Sequence, residues 1–287
     1  MNRLEAIKFG HCSFKDLKYW IVERHKIWHL KNIGEPKPWT KDPIFQRYKF
    51  CNVFRQLDKG TVALTKMLES AEYYSSLDLI FFNVIWYRLF NWHEHATALG
   101  FVNDYRALEE YIMNRAKTGQ QIFTSAHMTH GKFYEDKHVT YLKACKQVWD
   151  NIDLYTKSII NAGTMEEAFN ELLGLPMIGR FVGYEIVCDL RFTPLLDHAT
   201  DVLTWANMGP GAQRGLKRLR MPHKNQSEGL KSMRKLWKKI MISTIRHLMT
   251  TNWSFELREV EHSLCELDKY QRVKMNEGKP RQKYCGI

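Results

Sequence analysis

The stretch "DPIFQRYKFCNVFRQLDKGT", Asp42 to Thr61, concentrates side chains able to hold an anion, hydrogen-bond an edge and move a proton. Helical spacing sets Arg47, Cys51, Arg55 and Asp58 in one row, with Tyr48 and Asn52 beside it. Two forked cations, an amide and a carboxylate in line point to a site. The competing reading is a solvated face whose Arg55–Asp58 pair contributes roughly 0.2–0.5 kcal/mol. This stretch alone leaves both readings open.

The element that must carry the row is one amphipathic helix. Asp42 is a good N-cap, Pro43 suits the first helical position, and Gly60 is the expected stop. Phe50, Val53, Phe54 and Leu57 form the opposite face, which docks on a core.

Composition narrows the function. The chain has 287 residues, long enough for a substantial core, and 43 Lys and Arg against 31 Asp and Glu give a net charge of +12. That excess suits a polyanion, with nucleic acid first. Six scattered cysteines without a CxxC pair exclude a zinc ribbon, a closely spaced iron–sulphur site and a secreted disulfide framework. A reduced, intracellular setting is expected, in the host cytoplasm if the source is viral. No signal-peptide pattern opens the sequence. The apolar run "LDLIFFNVIWYRLFNW" is too short to span a bilayer and contains Arg88, so it reads as a buried helix and no membrane partner is expected.

Helical signals dominate elsewhere. "FKDLKYWIVERHKIWHL" opens the chain, Thr61 caps a helix toward Tyr74, and the buried helix from Leu77 runs to near Gly100. Its Asn83, Arg88 and Asn91 are either satisfied core groups or the wall of a wet pocket. "DYRALEEYIMNRAK", the basic "SEGLKSMRKLWKKIMISTIRHLM" and "SFELREVEHSLCELDKYQRVK" are further helices. The tail "MNEGKPRQKYCGI" reads as frayed. The pairs His25/His29, His93/His95 and His127/His130 lack a carboxylate or cysteine at ligand spacing, so no metal is expected.

Two later motifs bear on anions. "TMEE" at Thr164 is a capping box, and "LLGLPMIGRFVGYEIV" then has the form helix, Leu-Pro-x-x-Gly, helix. It resembles the helix-hairpin-helix element of DNA glycosylases, whose hairpin N–H groups take a DNA phosphate without reading sequence. The resemblance implies phosphate contacts at Gly179 and Arg180; it departs at Met177, where the element commonly has glycine. Asp197 and Asp201 straddle the place of the glycosylase catalytic aspartate. "GPGAQRG", with Gly209, Gly211, Gly215 and Arg214, can present N–H groups to an anion as a loop. No GxxxxGK[ST] occurs, which argues against a P-loop kinase.

Taken in order, "PWTKDPIFQRYKFCNVFRQLDKGT", "GYEIVCDL", "GPGAQRGL" and "REVEHSLCELDKYQR" resemble the thymidine hypermodification transferases of DNA viruses. These amino acid:DNA transferases, formerly α-glutamyl/putrescinyl thymine pyrophosphorylases, share the helical domain of the 5-hydroxymethyluracil DNA kinases. The resemblance runs from about Phe14 to Lys274. It implies exchange of the phosphate or pyrophosphate on a modified base in double-stranded DNA for an amine, such as an amino acid or polyamine. A separate DNA kinase would supply the phosphorylated 5-hydroxymethyluracil, and no cofactor is needed. In the family, position 51 is not restricted to cysteine, which counts against Cys51 as a nucleophile.

On that resemblance, Arg47 and Arg55 hold the departing phosphate and Asn52 reads the base. Asp58, Asp189 and Asp201 are candidates to deprotonate the incoming ammonium. Tyr48 or Trp205 stacks on an extruded nucleotide, and Glu261 or Lys269 sits near the amine. The expected fold is all-α: one compact helical domain over residues 1–274, a helix-hairpin-helix element at about 164–190, and a flexible 275–287. Two other functions fit the same features, a helix-hairpin-helix DNA glycosylase and a non-catalytic DNA-binding partner of a 5-hydroxymethyluracil DNA kinase.

Overall fold

The computed structural model describes residues 9–70, 76–124, 135–244, 248, 253–278, 280 and 283. These form thirteen α-helices and no strand; one isolated antiparallel bridge joins Tyr48 and Lys283. The all-α expectation holds. By spatial contact the chain falls into two compact units, residues 58–202 as one continuous segment and residues 1–57 with 203–287 as the other.

The discontinuous unit contains α1 (Phe14–Asn32), α2 (Pro43–Arg47), α11 (Pro210–Arg218), α12 (Gln226–Ser243) and α13 (Leu257–Lys274). α13 is its axis and touches all four others. Twelve of its residues are buried, and five of these are charged. The two chain ends meet here. Glu277 accepts the Gly10 N–H and pairs with Arg218, the Cys12 N–H donates to the Arg218 carbonyl, and Lys274 reaches Asp16. The tail expected to fray therefore begins fastened; most residues beyond Gly278 lie outside those described.

The helix expected over Asp42–Thr61 is broken. Asp42 caps α2 as anticipated, its Oδ1 accepting the Ile44 and Phe45 N–H groups, and Pro43 is the first helical residue. The helix then stops at Arg47, Tyr48 is extended, and the chain turns again at Arg55–Leu57 as a 3-10 helix before a separate helix begins at Lys59. Packing explains the break. Asn52, Val53, Phe54 and Arg55 are all buried, so the solvated face that an amphipathic helix would present here does not exist. The irregular chain sets Phe50 against Trp20, Phe45 and Tyr270, and Phe54 against His25 and Phe255. Tertiary burial overrides local periodicity.

The continuous unit holds α3 (Lys59–Glu69), α4 (Leu77–Phe90), α5 (His93–Ala98), α6 (Tyr105–Lys117), α7 (Lys137–Asp150), α8 (Ile152–Asn161), α9 (Met165–Leu172) and α10 (Arg180–Leu190). α4 is apolar nearly all round and is packed by α3, α7, α8 and α10. Gly60 lies inside α3 instead of ending a helix, and Asp58 is the N-cap of α3. α4 stops earlier than the sequence suggests, at Asn91 in the left-handed region (φ 49°), and the short α5 follows before Gly100 (φ 75°). Asn83 is a satisfied core group: its amide bonds Leu79, Val102 and Trp86. His95 is likewise structural, while His127 and His130 lie outside the described residues.

Candidate functional site

In the discontinuous unit, part of the predicted row meets the last helix. Glu266 Oε2 accepts the Cys51 N–H at 3.0 Å and the Lys269 ammonium at 3.1 Å. Lys269 also lies 4.9 Å from the centre of the Phe50 ring. On the other side, Arg24 donates two N–H groups to the Phe50 carbonyl, at 3.2 and 3.3 Å. The Asn52 amide N–H bonds the Leu57 carbonyl at 2.6 Å and closes the turn that carries Arg55, itself only 6 % exposed. The segment is thus held rigidly, and a cation, an amide and carboxylates are withdrawn from bulk water. In such surroundings charge–charge interactions are several-fold stronger than at an open surface.

Arg47 and Arg55 do not share a row. Arg47 is exposed and lies over the Tyr48 ring, with 5.6 Å from guanidinium carbon to ring centre. Cys265 is half-buried on α13; burial first, then the Glu261 and Glu266 carboxylates, push its thiol up to about 12. A thiol so stabilised is not a ready nucleophile. Tyr48 and Trp205, expected to stack on a base, are 3 % and 4 % exposed and belong to the core.

The glycine motif has a different job from the one its sequence suggested. "GPGAQRG" is not a loop but the start of α11, with Gly209 as N-cap and Pro210 first. A Cβ at Gly211 would stand 2.2 Å from Cys265 Sγ, and one at Gly215 would stand 2.4 Å from the Leu264 carbonyl oxygen. These two glycines let α11 lie directly on α13. The Gly209 N–H is taken by Glu261 Oε1 at 3.2 Å, so the helix terminus faces a protein carboxylate. Arg214 bonds Asp268 at 2.8 Å yet keeps a side chain 47 % exposed, open to a phosphate as well.

In the continuous unit, Asp189 and Asp201, two of the proposed bases, are held by identifiable partners. Arg88 grips Asp189 with two nitrogens, one bond being 2.8 Å, and also reaches Thr61 and Asn91. Glu185 lies 3.7 Å from the same guanidinium. Asp201 accepts the Met165 and Glu166 N–H groups and so caps α9. The Thr164 hydroxyl accepts the Glu167 N–H, while the Glu167 carboxylate reaches Gly163 instead of completing the box on Thr164. Between α9 and α10, Met177 holds φ 61°, the left-handed conformation for which glycine is the usual residue. Gly179 and Arg180 are exposed, with no atom within 4 Å of a Cβ at Gly179, which leaves the backbone open to an approaching phosphate.

Sequence reasoning missed Glu266, Arg24 and Arg218. Only the four-residue spacing of Gly211 and Gly215 signalled them indirectly, because a helix with such a seam has a close partner. Among the described residues no helix is long and apolar enough to cross a membrane.

The sequence matches the family model described as "5-hmdU DNA kinase, helical domain" over residues 11–280. It is similar to a "5-hmdU DNA kinase" of Bacillus phage SP10, 28 % identical over 220 residues, which are 69 % of this chain and 34 % of the relative. The chain therefore spans about a third of that relative's length. No solved structure matches.

Proposed function

The chain belongs to the family of 5-hmdU DNA kinase helical domains, and on that premise we propose that it acts on 5-hydroxymethyluracil in DNA as a transferase. The phosphate or pyrophosphate of the phosphorylated base is exchanged for an amine, such as an amino acid or polyamine. The substrates are double-stranded DNA prepared by a separate kinase and the free amine, in the cytoplasm of an infected host. The observation that supports this most is the polar array of the discontinuous unit, buried Arg55 and Asn52 with buried Glu261 and Glu266 on α13, beside the half-buried Lys269.

In this reading the neutral amine attacks the exocyclic carbon, the C–O bond breaks, and the phosphate departs with the electron pair. Arg55 stabilises the charge that builds on the departing oxygens, in a site where a preorganised donor acts strongly. Glu261 orients the ammonium and takes its proton before attack. Lys269 is held by Glu266 and tunes the charge of that wall. Asp189 and Asp201 remain at work in Arg88 pairing and α9 capping, so the proton is assigned away from them. Within the discontinuous unit Arg214 meets a DNA phosphate, and in the continuous unit Gly179 and Arg180 do so independently.

A second reading is favoured by the relative's kinase name and by its much greater length: a helical module that presents DNA to a kinase. Mass spectrometry of nucleosides separates the two. Duplex DNA carrying the phosphorylated base, incubated with protein and an amine mixture, should yield an amine-substituted nucleoside without ATP. Unchanged DNA that is nevertheless bound would support the module, and release of free base would indicate a glycosylase.

A further inference from the structure

Extruding a nucleotide leaves an aromatic surface in demand, and the two rings first expected to meet it are buried. A different aromatic site exists in the discontinuous unit. Between the end of α1 and α2, a cavity of about 330 Å³ is walled by Ile27, Pro38, Trp39 and Phe45, with Gln46 among its polar groups. That volume falls at the small end of the range for sites that take small ligands (~300–1,000 Å³).

The site is built, not incidental. The Trp39 indole N–H donates to the Glu35 carbonyl at 2.6 Å, which fixes the plane of the ring. Phe45 is braced behind by Trp20, Phe50 and Tyr270. Gln46 is fastened through its amide N–H to the Thr40 carbonyl at 2.8 Å, and its side-chain carbonyl supplies an acceptor for a base N–H. Lys37 and Lys31 lie over the Trp39 ring at 5.5 and 6.0 Å.

We propose that the Trp39 pocket receives an unstacked nucleobase of the bound DNA, with Lys31 and Lys37 meeting the phosphates that flank it. The choice of occupant rests on charge. A neutral apolar ligand has no use for Lys37 in the lining and Lys31 over the same ring, whereas a nucleotide brings both a π-face and an anion. An exposed cation–π contact is weaker than a base stacked on an aromatic, so a base displaces a lysine from the ring. The displaced ammonium is then placed beside the phosphate attached to that base. The inference rests on the DNA-binding part of the proposed function and not on its transfer chemistry.

The test uses the whole chain and three oligonucleotides that contain 2-aminopurine but no 5-hydroxymethyluracil: single-stranded, duplex with the probe unpaired, and fully paired duplex. The wild type should prefer the first two and quench the probe. Trp39→Ala should lose roughly tenfold or more on those two, while its affinity for paired duplex stays within about twofold. Trp39→Phe, which keeps a π-face, should retain most of the preference and guards against a folding defect. Equal losses on all three DNAs, or Trp39→Ala behaving as wild type, would overturn the pocket alone. Wild type that binds none of them would overturn the DNA reading and the pocket with it.

Discussion

Arg218 and Asp268, each 1 % exposed, meet at 2.7 Å where α11 crosses α13. Arg214 and Arg272 converge on the same carboxylate, and Arg218 continues to Glu277 and the Gly10 carbonyl. Removing one partner of a buried pair strands the other, typically at about 3–5 kcal/mol. Asp268→Asn should lose stability on that scale. Arg214→Ala, at the exposed rim, should cost under ~1 kcal/mol. Urea denaturation of the two variants provides the comparison; equal losses would show that the cluster does not hold the chain ends.

Gly211→Ala should destabilise the α11–α13 seam, because the new methyl falls on the Cys265 side chain, 2.2 Å from Sγ and 3.1 Å from Cβ. Overpacking of this kind costs ~1–3 kcal/mol. Gly179→Ala meets nothing within 4 Å and should leave the melting temperature almost unchanged. If both glycines tolerate alanine equally in thermal melts, the close approach of the helices is wrong.

Arg55→Ala should reduce transfer by about a hundredfold or more, with duplex binding nearly intact. Lys should rescue poorly, because it lacks the two-pronged geometry. Arg47→Ala, at the exposed end of α2, should turn over close to wild type. Since Arg55 is buried, rates are compared per folded molecule, checked by circular dichroism. Wild-type single-turnover rates in Arg55→Ala would remove this residue from the site.

Acid should destabilise the continuous unit before carboxylates titrate. His95 is fully buried, its Nε2–H donates to the Ile122 carbonyl, and its Nδ1 lies 3.0 Å from the Tyr111 hydroxyl, which donates to it when the ring is neutral. Burial, opposed by the Ile122 bond, pushes its pKa down from 6.5 to about 4. Between those values the unfolded chain holds a proton that the folded chain does not. Stability therefore falls as pH drops from 6.5 toward 4, with a slope for this ring approaching ~1.4 kcal/mol per pH unit. Nitrogen NMR of the ring should report the neutral form down to about pH 4; a ring that charges near 6.5 would refute the assignment.

Helix identities were legible where caps and periodicity agreed, as at Asp42–Pro43 and in α13. They failed where tertiary contacts outvoted the period, as at Tyr48–Phe54, although Phe50, Val53 and Phe54 were still identified as core. The site was half legible. Lys269 is tied to the Cys51 segment through Glu266, but a buried glutamate on a helix looks in sequence like any solvated one. Glycine was the most misleading residue. The letters of "GPGAQRG" are the same whether they cradle an anion or seat one helix on another, and only the neighbour across the seam distinguishes them.

The unit centred on α13 is assembled from chain segments synthesised far apart in time. At ~5–20 residues per second, α1 leaves the ribosome tens of seconds before α13 does. Until then Leu17, Trp20 and Ile21, all fully shielded in the finished protein, lack the helix that completes their cover. The intervening segment is continuous and can complete its own core first. The nascent chain thus carries a waiting apolar surface on α1 until α13 emerges, and chaperone demand should fall on that helix.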